Sequence, residues 1–129
     1  MLEVQNLTVD FRVDSGWIRS VSDVSFSLNA KATLGIVGES GSGKSVTALS
    51  VLRLHALRNT RMSGRIEFDG HDMLALPERD LRKMRGRDIA MIFQGPMHSL
   101  NPVLTIGDQI GETLRIHQQI DAKAARAEA

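Results

Sequence analysis

Residues 38–45 read Gly-Glu-Ser-Gly-Ser-Gly-Lys-Ser, between the apolar run Leu34, Gly35, Ile36 and Val37 and a stretch of helical character. This is a complete G-x-x-x-x-G-K-[ST] pattern, the Walker A motif. Gly38, Gly41 and Gly43 permit backbone conformations and close approaches that a Cβ would block. Successive N–H groups along Gly38, Glu39, Ser40, Gly41, Ser42 and Gly43 can then turn inward on phosphate oxygens. Lys44 brings a point charge to the β and γ phosphates, and the Ser45 hydroxyl offers an oxygen to Mg²⁺. Both residues open a helix, whose unsatisfied N–H groups and dipole favour negative charge. Chance would produce the four fixed positions in about one chain in a few hundred of this length. The strand before the loop and the helix after it are the context that separates a phosphate cradle from an accidental glycine turn.

Upstream of the loop, Val4, Leu7, Val9 and Phe11 alternate loosely and predict a strand over 2–12. Asp14, Ser15 and Gly16 make a hairpin turn, and a second strand runs from Ile18 through Val24, Phe26 and Leu28. Asn29 to Lys31 turn again into Thr33–Val37, a continuous apolar run of the kind buried inside an α/β sheet. Downstream, Val46, Leu49, Val51, Leu52 and Leu54 give a helix one apolar face. Residues 58–63 read as a polar loop, 64–68 as a strand and Asp69-Gly70 as a tight turn. Pro77 suits the first turn of a short helix that Gly86 ends. Ile89–Phe93 predicts a second buried strand ending at Gln94, and Gly95, Pro96, Asn101 and Pro102 break the pattern. Thr105 caps a helix with Ile106, Ile110 and Leu114 at four-residue spacing, and Asp121 caps another through Ala122, Ala124, Ala125 and Ala127.

Composition narrows the function classes. Hydrophobic residues make 42% and charged residues 24% of 129, which fits a soluble globular class with room for one small domain or part of a larger one. Sixteen basic against 15 acidic residues leave a net charge of +1, so no strong field toward nucleic acid or anionic lipid is expected. The absence of cysteine excludes disulfides and thiolate metal sites. The start, MLEVQNLTVD, carries no secretory signal pattern, and no apolar run approaches a membrane span.

Four stretches together carry a more specific message: LGIVGESGSGKSVTALSVLRL at 34–54, SGRIEFDG at 63–70, MRGRDIAMIFQ at 84–94 and SLNPVLTIGDQI at 99–110. Over nearly its whole length the chain resembles the N-terminal part of the ATP-binding subunit of an ABC transporter, in the branch serving oligopeptide and dipeptide importers. The resemblance implies an α/β fold of the ABC ATPase type of P-loop NTPase. Its antiparallel β subdomain and Walker A core would occupy residues 1–94, and the Q-loop continuation and start of the helical subdomain residues 95–129, leaving the fold incomplete. It implies ATP and Mg²⁺ as cofactors and places Phe11 where the family carries an aromatic that stacks on adenine, with Trp17 the nearest competitor. Gln94 falls on the Q-loop glutamine, which contacts Mg²⁺ and the attacking water. The implied partners are transmembrane permease subunits, a second ATP-binding subunit and, indirectly, a solute-binding protein. The implied location is the cytoplasmic face of a bacterial or archaeal membrane.

Three departures from the family pattern stand out. Gly95 replaces the usual Asp after the glutamine, His98 stands where Thr is common, and Lys31-Ala32 replace a Gly-Glu turn. A non-Gly residue held at positive φ there costs about 1 kcal/mol, so a changed turn is expected. The signature motif of LSGGQ type, the Walker B Asp-Glu and the switch histidine are not found in the 129 residues. Phe68-Asp69-Gly70 lies in a turn context, and His55, His71, His98 and His117 have no matching surroundings. The expectation is therefore ATP binding without independent hydrolysis, with the alternatives of a permease-docking fragment or an inactive remnant of a shortened gene. The apolar faces of Val46–Leu54 and Ile89–Phe93 are expected to be poorly covered.

Overall fold

The sheet is built on β1 (Leu2–Val13), which pairs antiparallel along its length with β2 (Gly16–Leu28) on one side and β3 (Thr60–Phe68) on the other. The two residues of β4 (His71–Asp72) complete a four-stranded antiparallel sheet in the order β2-β1-β3-β4. The computed structural model describes residues 1–93, 95 and 100–129. Backbone contacts divide it into two units, Met1–Glu78 and Arg79–Ala129, and the sequence boundary drawn after residue 94 falls inside the second.

In β1 the buried side chains are Val4, Leu7 and Val9, a spacing of three and then two. Strict alternation would put Leu7 on the wet face, so the strand needs one extra residue between Val4 and Leu7. A bulge at Gln5 and Asn6 supplies it. Asn6 takes φ 50 and Asp23, facing it on β2, takes φ 53. The Asn6 side-chain amide donates to Asp23 Oδ1 at 2.7 Å, the Asn6 N–H to Ser25 Oγ at 2.8 Å and the Asp23 N–H to Thr8 Oγ1 at 3.1 Å. On the β3 side Gly64 takes φ 98, and a Cβ there would lie 2.5 Å from the carbonyl oxygens of Gln5 and Asn6. Asn, Asp and Gly are the residue types that tolerate this backbone. The loose alternation of the sequence is thus a built irregularity that returns Leu7 and Val9 to the core beside Val21, Ile66 and Met73.

The hairpins follow their turn residues. Asp14-Ser15 join β1 to β2, and Val13 pairs with Gly16 at φ 127. Asp69 (φ 45) and Gly70 (φ 80) are both left-handed, as a two-residue hairpin turn of this twist requires. The expected polar loop over 58–63 is corrected: a 3-10 turn (Leu57–Asn59) ends there and β3 begins at Thr60, because β1 offers paired backbone as far as Phe11. Polar Arg61 and Ser63 are accommodated by remaining exposed.

Two expected strands are also corrected. Residues 32–39 form neither strand nor helix, and Val37 is 93% exposed. Residues 90–93 are likewise irregular, with Ile92 94% exposed, and Ile89 makes only an isolated bridge to Arg85. A strand buried on both faces exists only where neighbours complete its ladder, and none pairs with either run among the described residues. The helix α1 (Lys44–Val51) fares better than expected, since Val51 and Leu52 are buried.

In the second unit, α2 (Glu78–Met84) buries Leu81 and is followed by Gly86 at φ 84. The predicted caps of the next two helices form. Thr105 Oγ1 accepts from the Asp108 N–H at 3.1 Å at the start of α3 (Ile106–Gln118), and Asp121 Oδ1 from the Ala124 N–H at 2.8 Å at the start of α4 (Ala122–Glu128). Gly111 and Ala125 are the buried contact between α3 and α4, whereas Ile106 and Ile110 remain exposed.

Candidate functional site

The stretch 38–45 is a loop that winds around its own lysine. Lys44 Nζ donates to the carbonyl oxygens of Gly38 at 2.7 Å and Glu39 at 2.6 Å, and reaches Ser42 Oγ at 3.3 Å. The Ser42 N–H donates back to Glu39 O at 3.2 Å. Three acceptors meet the three donors of an ammonium, and the loop is closed by the charge it presents. The Ser42 contact is the longest, and so the weakest, of the three.

Backbone contact requires glycine at Gly43. Gly43, at φ 91, is the N-cap of α1, and a Cβ on it would lie 2.8 Å from Ser20 O and 3.2 Å from Val21 Cγ2. The cradle is therefore seated directly on β2, whose Val21 is a core residue. Gly38 is less constrained: its Cβ would lie 2.6 Å from Ser42 Oγ, a side-chain oxygen that can rotate away. Gly41 is left-handed at φ 83 in open space. From Gly43 the helix starts cleanly, with the Thr47 N–H donating to Gly43 O at 2.8 Å. Ser45 is exposed in its first turn, while Glu39 and Ser40 are exposed in the loop.

The remaining candidates are placed differently. Phe11 is half-buried on β1 between Ile18 and Thr60, and its ring meets His55 edge to face, 5.1 Å between centroids at 79°. Trp17 is covered by the Arg61 guanidinium, 3.8 Å above its ring. Gln94 and His98 lie outside the described residues. Gly95 takes φ 87, in the left-handed region that glycine favours. Lys31 takes φ 62, so the turn keeps the positive φ that a glycine would favour and carries the strain in place of a change of shape. Among the described residues no group of three or more His, Asp or Glu is arranged to hold a metal by itself, so a cation here would depend on ligands such as phosphate oxygens. Sequence reasoning missed His55 and Ser20. Neither sits in a motif, and both matter only because α1 and the strands come together.

A family model described as ABC transporter matches residues 21–129. The chain belongs to the ABC transporter family. Its curated relatives in that family include a putative peptide import ATP-binding protein of Brucella abortus (strain 2308), 57% identical over 129 residues, covering all of this chain and 39% of that protein. The oligopeptide transport ATP-binding protein OppD of Haemophilus influenzae is 47% identical, covering 99% of this chain and 39% of that one. The chain spans about two fifths of the length of these ABC relatives. The fold agrees: a dimeric bacterial ABC transporter cassette matches with a TM-score of 0.80 at 22% identity, over 98% of this chain and 53% of that one. No helix of the described residues is long and apolar enough to cross a membrane.

Proposed function

We propose that the chain is the ATP-binding front of an ABC importer subunit that couples ATP binding and hydrolysis to the uptake of peptides or similar solutes. The observation that carries the reading is the closed loop around Lys44, with carbonyls of Gly38 and Glu39 fixing the ammonium at the mouth of α1. The parts fit a nucleoside triphosphate. Lys44 and the loop amides from Gly38 to Gly43 hold its phosphates, and Phe11 stacks on the base. The Ser45 hydroxyl holds Mg²⁺, joined by Gln94. The metal, when bound, offsets phosphate charge and orients the terminal group. Lys44 gives up its longest contact, to Ser42 Oγ, to reach a phosphate oxygen, and Gly43 keeps the cradle against β2.

In this reading the chain works with permease subunits, a second ATP-binding subunit and, through the permease, a solute-binding protein, at the cytoplasmic face of a bacterial membrane. The exposed Ile106 and Ile110 on α3 support a protein partner for the second unit. The names of the relatives support peptide as the transported class. Turnover needs a Walker B carboxylate and a signature motif, which the 129 residues do not contain. The chain alone is accordingly a nucleotide-binding unit.

Equilibrium titration with MgATP, followed by a phosphate-release assay, tests this. Micromolar to millimolar binding, lost by at least tenfold in Lys44→Ala and without turnover, is expected for loss of a charged phosphate contact. Equal binding by the wild-type chain and Lys44→Ala would sink the proposal.

A further inference from the structure

His55 is the feature of the first unit that the phosphate site leaves unexplained. It stands four residues beyond the end of α1, and its Nε2 lies 3.0 Å from Ser50 Oγ and 3.0 Å from Val46 O. Ser50 is fully buried, and its hydroxyl donates to Val46 O at 2.7 Å. A hydroxyl has one proton, so with that proton spent Nε2 must be the donor to this pair. The tautomer is thereby fixed, and with it the plane of the ring. The edge contact to Phe11 follows from that plane.

The segment that carries His55 is tied at both ends. The Arg53 N–H donates to Ser50 O at 3.0 Å and the Leu54 N–H to Leu49 O at 2.9 Å. On the far side Thr60 Oγ1 donates to Ala56 O at 3.0 Å, and Thr60 is the β3 residue paired with Phe11. Arg53 also reaches across to the carbonyls of Met73 at 3.1 Å and Leu76 at 2.6 Å. A freely moving imidazole would give the Phe11 ring no fixed neighbour; this one is held by the helix that begins with Lys44 and Ser45.

We infer that His55 is a positioning residue for the nucleotide base. It fixes the Phe11 ring relative to the N-terminus of α1 and so sets the span between the stacked base and the bound phosphates. The inference rests on the reading of residues 38–45 and Phe11 as a nucleotide site. Packing against His55 restricts the orientation of the Phe11 ring, and ordering that ring beforehand lowers the entropy lost on binding. Val46, two residues beyond Lys44, is the anchor through which the two halves of the site share one rigid element.

The test compares MgATP with magnesium tripolyphosphate, which has the phosphates and neither base nor ribose, on the 129-residue chain. His55→Gln keeps a donor within reach of Val46 O and Ser50 Oγ but removes the aromatic ring. It is expected to bind MgATP about threefold to tenfold more weakly, the range of one aromatic pair, with tripolyphosphate affinity within about twofold of wild type. Phe11→Ala sets the scale, at about tenfold for ATP alone, from the value of one base stack. The double variant is expected to lose no more than Phe11→Ala, because the histidine acts through that ring. His55→Gln binding ATP as wild type does, or losing both ligands equally, overturns the inference while leaving the phosphate site standing. Phe11→Ala without effect on ATP overturns it as well. Loss of both ligands in Lys44→Ala keeps the underlying site reading distinguishable from either failure.

Discussion

β1 and residues 33–37 both offer apolar side chains to the same unit, and only one of them is a strand. β1 is paired along both edges, by β2 through a two-residue turn and by β3, and its side chains Val4, Leu7 and Val9 are sealed from water. Residues 33–37 are the more continuously apolar of the two, yet Leu34, Ile36 and Val37 are exposed. Apolar content marks a segment that gains from burial, but the ladder that makes a strand belongs to its neighbours. A hairpin brings its own neighbour. A run buried on both faces needs a neighbour along each edge, and none pairs with residues 33–37 among the described residues.

The difference is measurable. The largest expected effect is that of Leu7→Ala, a fully buried side chain on the doubly paired strand, which should cost about 3 kcal/mol in denaturant unfolding. Gly64→Ala comes next, at about 2 kcal/mol, since it sets a Cβ against two carbonyl oxygens at positive φ. A wild-type melt for that variant would mean that the bulge relaxes and is not what locks the register. Val37→Asp, by contrast, should change stability by no more than about 0.5 kcal/mol while reducing light scattering at high concentration. A cost as large as that of Leu7→Ala would break the comparison, and would show that the run is covered in solution by another copy.

The smallest effect concerns the exposed pair at the far end of β1. The Arg19 guanidinium donates to Asp10 Oδ1 at 2.9 Å and, against slight desolvation, holds the Asp10 carboxyl below its ordinary range. A lowered folded value means that the contribution is present above the unfolded value and is lost as the pH falls below about 4. Melting curves of Asp10→Asn and wild type should therefore differ slightly at neutral pH and converge in acid. A gap that widens in acid would contradict the sign.

Much of the site was legible beforehand because its chemistry is local. A glycine spacing, a lysine and a serine at a helix start are the pattern of the loop proposed to hold phosphate, and residues 38–45 wrap around Lys44. Both helix caps and both hairpin turns were read from single residues, Thr105, Asp121, Gly16 and Gly70, for the same reason. Thr60–Ser63 was misread, since its residues are polar and only the free edge of β1 makes them a strand. Residues 33–37 and 89–93 were misread in the opposite sense, as apolar runs without a ladder. Gly64 could be seen in the sequence, but the reason for it could not, because the carbonyls it faces belong to a bulge 58 residues earlier.

By itself, then, the sequence determined the loop around Lys44, its helix, the turns and the caps, all of which depend on residues within one turn of one another. The tertiary structure decided which apolar segments are strands, where the alternation of β1 is reset, that Gly43 seats the cradle on Ser20, and that His55 meets Phe11. These depend on groups far apart in the chain, whose contact is fixed only when the hairpins close and α1 settles beside them.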